Sequence, residues 1–348
     1  MNFRVLANML QRGLFLAFAG LLYAWVDFDL QLNATIISAL SGFLIGISTR
    51  FLDWVFIQTG LRRQKFLVVF GIRTITNVAV ILTILTLVIW LYGGLLDGMS
   101  VRDWLSPIKE SGSGLRQNYY KFALYSFGGI MAFQFFLLLF RLIGPNKLVW
   151  YVLGRYHEPQ IEERIFMFMD IRSSTTIAER LGALKWHEFL NDFFFDIAGP
   201  VRRYKGEIYQ YVGDEVVISW PKEVGIRNLN AIKCFFGLYE KLGSKGHEYL
   251  DKYGYEPVFK SGYHVGEVIV GEIGDYKREI VFHGDTVNTA SRIQQECNTY
   301  NRRLLLSYDL LKLLNLGDEF TSEYLTEIRL RGKETDIALY SLDPVESE

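Results

Sequence analysis

Asp170 ends the apolar run Ile165–Asp170, and Asp214 ends a second short run, Tyr211–Gly213. A strand that delivers one carboxylate at its tip can hold a metal ion over a sheet. Two such strands side by side can hold two ions against a triphosphate. Hard divalent cations take oxygen ligands and keep substrate phosphates in their shell, so metal-assisted phosphoryl chemistry is the first reading. Asn288 and Arg292 lie four residues apart and share a helix face, a second pair able to act together. Each feature has a plainer reading when taken alone. Asp170 suits a helix N-cap, Asp214 a hairpin turn, and Asn288 with Arg292 a solvated surface pair.

These residues need a scaffold, and the periodicity beyond Glu163 supplies one. Ile165–Asp170 reads as a buried strand. Thr175–Leu181 and Leu184–Arg203 read as helices, the second with an aromatic face (Phe189, Phe193, Phe194). Glu207–Val212 and Glu215–Trp220 form a hairpin around Gly213 and Asp214. Ile226–Tyr253 reads as one long helix, and Val258–Val265 with Val268–Glu272 as a further strand pair. Asp285–Cys297 is a helix and Leu304–Leu306 a short strand. Phe320–Leu330 and Asp336–Leu342 close the chain as strands. The order predicts an α+β domain, a mixed sheet covered by helices.

The other half of the chain is different in kind. Across 348 residues the formal charge is only −1, which gives no basic footprint for nucleic acid. Half the residues are hydrophobic and the mean hydropathy is +0.14, high for a water-soluble chain. The excess sits in four apolar stretches, Leu6–Val26, Ala34–Ile57, Phe66–Gly93 and Phe122–Ile143. Each reaches the ~20 residues a membrane-spanning helix needs. The first lacks a small-residue cleavage site, so it reads as a span and not as a cleaved signal. Arg62, Arg63 and Lys65 between the second and third spans, with Arg141, Lys147 and Arg155 at and after the fourth, place both termini inside. The loop Asp97–Lys121 then lies outside. Ser38, Gly42 and Gly46 share a face of the second span, which reads as a packing face. Arg73 sits inside the third span with Asp53 as its expected partner. No histidine precedes His157, which argues against a bis-histidine haem sensor. Cys234 and Cys297 have no ligand-like spacing and read as reduced core thiols. The expected division is 1–145 as a four-span transmembrane domain, 146–164 as a linker or transducer, and 165–348 as the catalytic domain.

The soluble half resembles the catalytic domain of class III nucleotidyl cyclases. The resemblance rests on Phe166–Gly182 (FMFMDIRSSTTIAERLG), Gly206–Asp214 (GEIYQYVGD), Lys260–Gly266 (KSGYHVG) with Val270–Gly274 (VGEIG), His283–Arg292 (HGDTVNTASR) and Leu330–Lys333 (LRGK). Several motifs in one order are far more specific than any single short match. The resemblance implies a ferredoxin-like mixed sheet that turns ATP into cyclic AMP and pyrophosphate with two ions, Mg²⁺ or Mn²⁺. It implies that Asp170, Asp214 and the Ile171 carbonyl hold the ions. The backbone amides from Arg172 through Ser173 and Ser174 to Thr175 would cradle phosphates. It further implies that Asn288 orients the ribose and that Arg292 neutralises charge on the α-phosphate. Arg331 stands where the family usually has a triphosphate-binding lysine, with Lys333 beside it. In this family the aspartates and the Asn/Arg pair act from opposite subunits, which implies a two-fold homodimer with two shared sites. His264 and His283 have no chemistry in the family's pattern.

One pair departs from that pattern. Adenylyl cyclases usually read the base with Lys and with Asp or Thr where this chain has Gln210 and Val281. Guanylyl cyclases usually place Glu and a small residue or Cys there. Gln210 both donates and accepts, so it suits adenine N1 or guanine O6; Val281 offers only backbone. The reading is therefore a membrane-bound adenylyl cyclase, integral to an inner or plasma membrane with its catalytic domain in the cytoplasm. A ligand of the membrane half is admitted but not identified by the sequence. The alternatives are a guanylyl cyclase and a catalytically silent receptor that uses the fold to dimerise. Gly213, Asp214 and Glu215 also resemble the hairpin of diguanylate cyclases, but Val212 replaces a glycine of that signature and the Asn288/Arg292 helix has no counterpart there.

Overall fold

The computed structural model describes residues 3–28, 32–58, 66–96, isolated positions between 128 and 139, 144–329 and 336–345. The chain divides into two compact units, Met1–Leu148 and Val149–Glu348.

In the first unit, α1 (Phe3–Phe28), α2 (Leu32–Gln58) and α3 (Phe66–Leu96) contain the first three apolar stretches. The fourth, Phe122–Ile143, and the loop Asp97–Lys121 lie outside the described residues apart from the isolated positions. Ser38–Phe56 and Val68–Val88 are long and apolar enough to cross a membrane, and Leu6–Leu22 is a shorter apolar segment. Large apolar side chains point outward, Phe15, Phe18, Trp25 and Ile75 among them, while Ser41, Thr49, Arg73, Thr74 and Asn77 are buried. Arg73 meets Asp53 at 3.4 Å, the partner expected for a charge in the third apolar stretch, and Arg12 of α1 joins the same carboxylate at 2.8 Å. The small-residue face packs α2 on α1. A Cβ at Gly42 would overlap the carbonyl of Leu16, and one at Gly46 that of Arg12. Gly42→Val should therefore part the two helices, since overpacking of this kind costs ~1–3 kcal/mol. Thermal scans should show the first unit's transition several degrees lower and that of the second unit unmoved. Equal transitions in mutant and wild type would contradict this packing.

The second unit is built on one eight-stranded sheet in the order β2-β3-β1-β4-β6-β8-β7, with β5 attached to β4. After α4 (Pro145–Leu153) come β1 (Gln160–Ile171), α5 (Ser174–Leu181), α6 (Ala183–Arg203), β2 (Glu207–Val212) and β3 (Glu215–Pro221). α7 (Lys222–Ile226), a 3₁₀ turn at Arg227–Leu229, α8 (Asn230–Gly243) and α9 (Gly246–Tyr253) follow. The chain closes with β4 (Phe259–Ile273), β5 (Glu279–His283), α10 (Asp285–Thr299), β6 (Leu304–Ser307), α11 (Tyr308–Leu311), β7 (Phe320–Ile328) and β8 (Ile337–Pro344). The ladder is antiparallel except for β4–β6.

β1 is buried on both faces, so it reads as an unbroken apolar run and not as an alternation. Ile165, Met167, Met169 and Ile171 face α5, α6, α8 and α9, where Phe189 and Phe193 are fully buried. Burying such a side chain contributes roughly 1.5–3 kcal/mol. Asp192 and Asp196 are buried beside them on α6; they accept hydrogen bonds from Tyr253 and Tyr249 and pair with Lys252 and Lys245, which staples α9 to α6. Phe166 and Phe168 face the other way, into a cluster with Phe282, Ala290 of α10 and Tyr156, with Trp150 and Tyr151 of α4 against it. Both cysteines are buried free thiols.

The structure corrects two elements of the sequence reading. Ile226–Tyr253 is not one helix. Asn228 and Leu229 take left-handed backbone at φ 54° and 55°, and Ser244 and Lys245 separate α8 from α9. Val258–Val265 and Val268–Glu272 are not a strand pair but parts of a single strand, β4. It pairs with β1 and β6, and its last residues with β5, formed by residues to which the sequence reading gave no element. The backbone runs straight on through Gly266, with Thr286 packed against it. Gln160–Arg164, inside the segment read as linker, already pair with β4 as the start of β1.

Candidate active site

Asp170 lies at the end of β1, opposite Glu215 of β3 and Lys260 of β4 in the two flanking registers. Asp214 sits in the β2–β3 turn. The Lys260 ammonium is 3.2 Å from the Asp170 carboxylate, and the Gln294 amide donates to the same oxygen at 3.2 Å. Gln294 reaches it because α10 lies directly on β4, where a side chain at Gly262 would collide with the Gln294 backbone.

The electrostatics are those of an anionic cleft short of positive charge. Burial first, then hydrogen bonding and repulsion from Asp214, push the Asp170 carboxyl up to about 6, with Lys260 pulling the other way. Burial, and then the charges of Asp170 and Asp214, push Glu215 up to about 7. Like charges held together out of water favour a shared proton or a bound cation. Among the described residues no group of three or more His, Cys, Asp or Glu side chains converges as a metal cluster. Two carboxylates with a backbone carbonyl suit an ion that keeps waters and phosphates as its remaining ligands, the habit of Mg²⁺. The donor set fits a hard divalent cation.

Ser173 follows the cleft with left-handed backbone at φ 59° and caps α5 without a side-chain bond. The amides of Ser174 and Thr175 fall in the first turn of α5, where helical N–H groups have no intrahelical acceptor. The Arg172 amide, expected beside them, is instead taken by the Val258 carbonyl at 2.8 Å, and the Arg172 side chain reaches Asn301. That amide already has its acceptor within its own chain.

Asn288 and Arg292 lie on α10, but not on the face that carries Gln294 to Asp170. Asn288 is exposed and Arg292 half-buried. From α10, Gln294 reaches the Asp170 carboxylate of its own chain. Gln210 is exposed on β2, and Val281 is half-buried on β5 opposite Gly271. Arg331 and Lys333 lie outside the described residues. Lys260, Gln294 and Glu215 were missed by the sequence reading. Lys260 and Glu215 become visible only once the strand registers are known, and Gln294 only once α10 is laid on the sheet. His264 is buried and shares a 2.7 Å hydrogen bond with Ser307.

Residues 157–344 match the family described as the adenylate and guanylate cyclase catalytic domain. Adenylate cyclase 2 of Rhizobium meliloti is 38% identical over 208 residues, 60% of this chain and 57% of that protein. Retinal guanylyl cyclase 2 of Bos taurus is 31% identical over 208 residues, 57% of this chain and 18% of that protein. The chain thus spans less than two thirds of the length of either relative. A solved structure of a bacterial light-regulated adenylyl cyclase matches with a TM-score of 0.53 at 22% identity, over 67% of this chain and 66% of its own, a likeness of fold.

Proposed function

Because the chain belongs to the adenylate and guanylate cyclase catalytic-domain family, we propose that it is a membrane-anchored adenylyl cyclase that converts ATP to cyclic AMP and pyrophosphate. The observation that carries the reading is the strand-end pair Asp170 and Asp214, close enough to raise the proton affinity of Asp170. Asp170, Asp214 and the Ile171 carbonyl would hold two ions, Mg²⁺ or Mn²⁺. Such ions, when bound, lower the pKa of the attacking 3′-hydroxyl and offset charge on the leaving phosphates. The free amides at the start of α5 receive phosphate oxygens. Arg292 stabilises negative charge growing at the α-phosphate, Asn288 orients the ribose, and Arg331 with Lys333 binds the triphosphate. Two copies of the chain share each site.

The helices of the first unit support membrane anchoring. Apolar side chains outside and polar ones inside reverse the pattern of a water-soluble bundle, and they suit a lipid surround. Four spans, with both termini on the cytoplasmic side, complete the proposal.

The test is turnover by purified protein, with ATP and GTP compared under Mg²⁺ and under Mn²⁺. Cyclic AMP as the main product is the expected result; absence of either cyclic nucleotide would refute the reading. Gln210 and Val281 favour one second reading, a guanylyl cyclase. Gln210→Lys combined with Val281→Asp supplies a charged donor and an acceptor for adenine, and the ATP:GTP ratio of kcat/KM should rise about tenfold or more, as sites that leave buried polar groups unpaired discriminate strongly. An unchanged ratio would remove these two positions from the base pocket.

A further inference from the structure

We propose that Tyr209 is a positioning residue for base recognition, a strut that holds the strands of Gln210 and Val281 in fixed relation; this rests on the cyclase reading. β2 and β5 are not neighbours in the sheet. β3, β1 and β4 lie between them, and among the described residues β5 pairs with β4 alone. Yet Tyr209 and Phe282, each the immediate neighbour of a base-reading position, meet directly. The Phe282 N–H donates to the Tyr209 hydroxyl at 3.3 Å, and the two rings pack edge to face at 4.8 Å.

The backbone of β2 makes this meeting possible. Ile208 pairs with Ile218 and Gln210 with Val217, so Tyr209 is an extra, unpaired residue in the ladder. A bulge of this kind re-aims a side chain and changes which face the next residue presents. It sends Tyr209 into the cluster with Phe282 and determines the face of Gln210 at the same time. The receiving end is firmly held. The Phe282 ring lies 4.7 Å from the Arg164 guanidinium and 5.4 Å from the Phe166 ring. Arg164 is 1% exposed and is fixed by Glu162 at 3.0 Å, Glu207 at 2.5 Å and Ser219 at 3.0 Å. The Tyr209 hydroxyl is therefore the hydrogen-bonded link between a bulged edge strand and an anchored one. Removing it takes away the acceptor of a partly buried N–H, which has a cost, and frees β5 to shift relative to Gln210.

The experiment measures kcat and KM for ATP and for GTP in full-length wild type, Tyr209→Phe and Phe166→Leu. Tyr209→Phe should raise KM for the preferred nucleotide about tenfold, lower the preference between the two nucleotides about fivefold, and change kcat less than about threefold. Phe166→Leu loosens the same cluster while keeping the hydrogen bond; it should lower the melting temperature and leave the preference unchanged. A purely structural role would reduce the rates with both nucleotides together at unchanged KM. An unchanged preference in Tyr209→Phe, or an equal loss of preference in Phe166→Leu, would overturn the assignment while the cyclase reading stands. A wild type that cyclises neither nucleotide would overturn both.

Discussion

Asp214→Asn should abolish cyclic-nucleotide formation and yet raise the melting temperature of the metal-free catalytic unit near pH 7. Both effects come from the same arrangement. Asp170 and Glu215 are pushed up to about 6 and about 7, chiefly by burial and then by neighbouring carboxylates. A carboxyl whose folded pKa lies above its unfolded value of about 4 binds its proton more tightly when folded. Its contribution to stability is complete below about pH 4 and is lost as the pH rises through the folded values. Between about pH 4 and 7 the metal-free protein should therefore lose stability. Asparagine at 214 removes one repelling charge, so the loss becomes shallower; each kcal/mol recovered moves the melting temperature by about 2–4 °C in a domain of this size. A divalent cation should relieve the same repulsion in the wild type, so added Mg²⁺ should raise its melting temperature more than that of Asp214→Asn. Activity should fall by more than about a hundredfold in this variant and in Asp170→Ala, because even outer-shell partners of a metal are worth that much. Thermal unfolding from pH 5 to 8, with chelator and with Mg²⁺, alongside cyclic-nucleotide assays, measures all of this. A metal-free Asp214→Asn less stable than wild type, or near-normal activity in either variant, would refute the assignment of the cleft.

The parts of this molecule legible in the sequence are those with local signals. Asp170 and Asp214 stand at the ends of short apolar runs, and the β2–β3 hairpin is marked by its turn. The Arg73–Asp53 pair was legible because a charge within an apolar span needs a partner and few are in reach. Arg12, the third member, is 41 residues from Asp53, and only helix packing brings it there. The break at Asn228 and Leu229 left no trace because neither residue is a glycine or proline, the usual markers of left-handed backbone. β5 was missed because the apolar run of β4 was read as two strands paired with each other, which left no partner to seek at Glu279. Glu215, Lys260, Gln294 and Tyr209 depend on register, on a helix laid over a strand and on a bulge. These are products of the whole sheet, and no short window contains them.

Asp170→Ala and Arg292→Ala, each inactive alone, should restore activity when co-expressed. α10 uses the face of Gln294 to reach Asp170 of its own chain at 3.2 Å. Asn288 and Arg292 belong to other faces of that helix, and Asn288 is exposed. In the proposed shared site, a second copy supplies the Asn288/Arg292 half and the first supplies the aspartates. In a two-fold dimer every such site occurs twice, once in each sense. A mixed dimer then carries one site built from the undamaged half of each chain and one site damaged in both halves. With equal expression and random pairing, half the dimers are mixed and half their sites intact, so about a quarter of wild-type activity is expected. Two different affinity tags, used in succession, isolate the mixed dimer, whose activity should approach about half that of wild type per dimer. Two mutations within one chain, paired with a wild-type chain, should retain no intact shared site, because each site would then lack either its aspartate or its arginine. Inactive mixed dimers, or an active pairing of the double mutant with wild type, would show that each chain carries a complete site of its own.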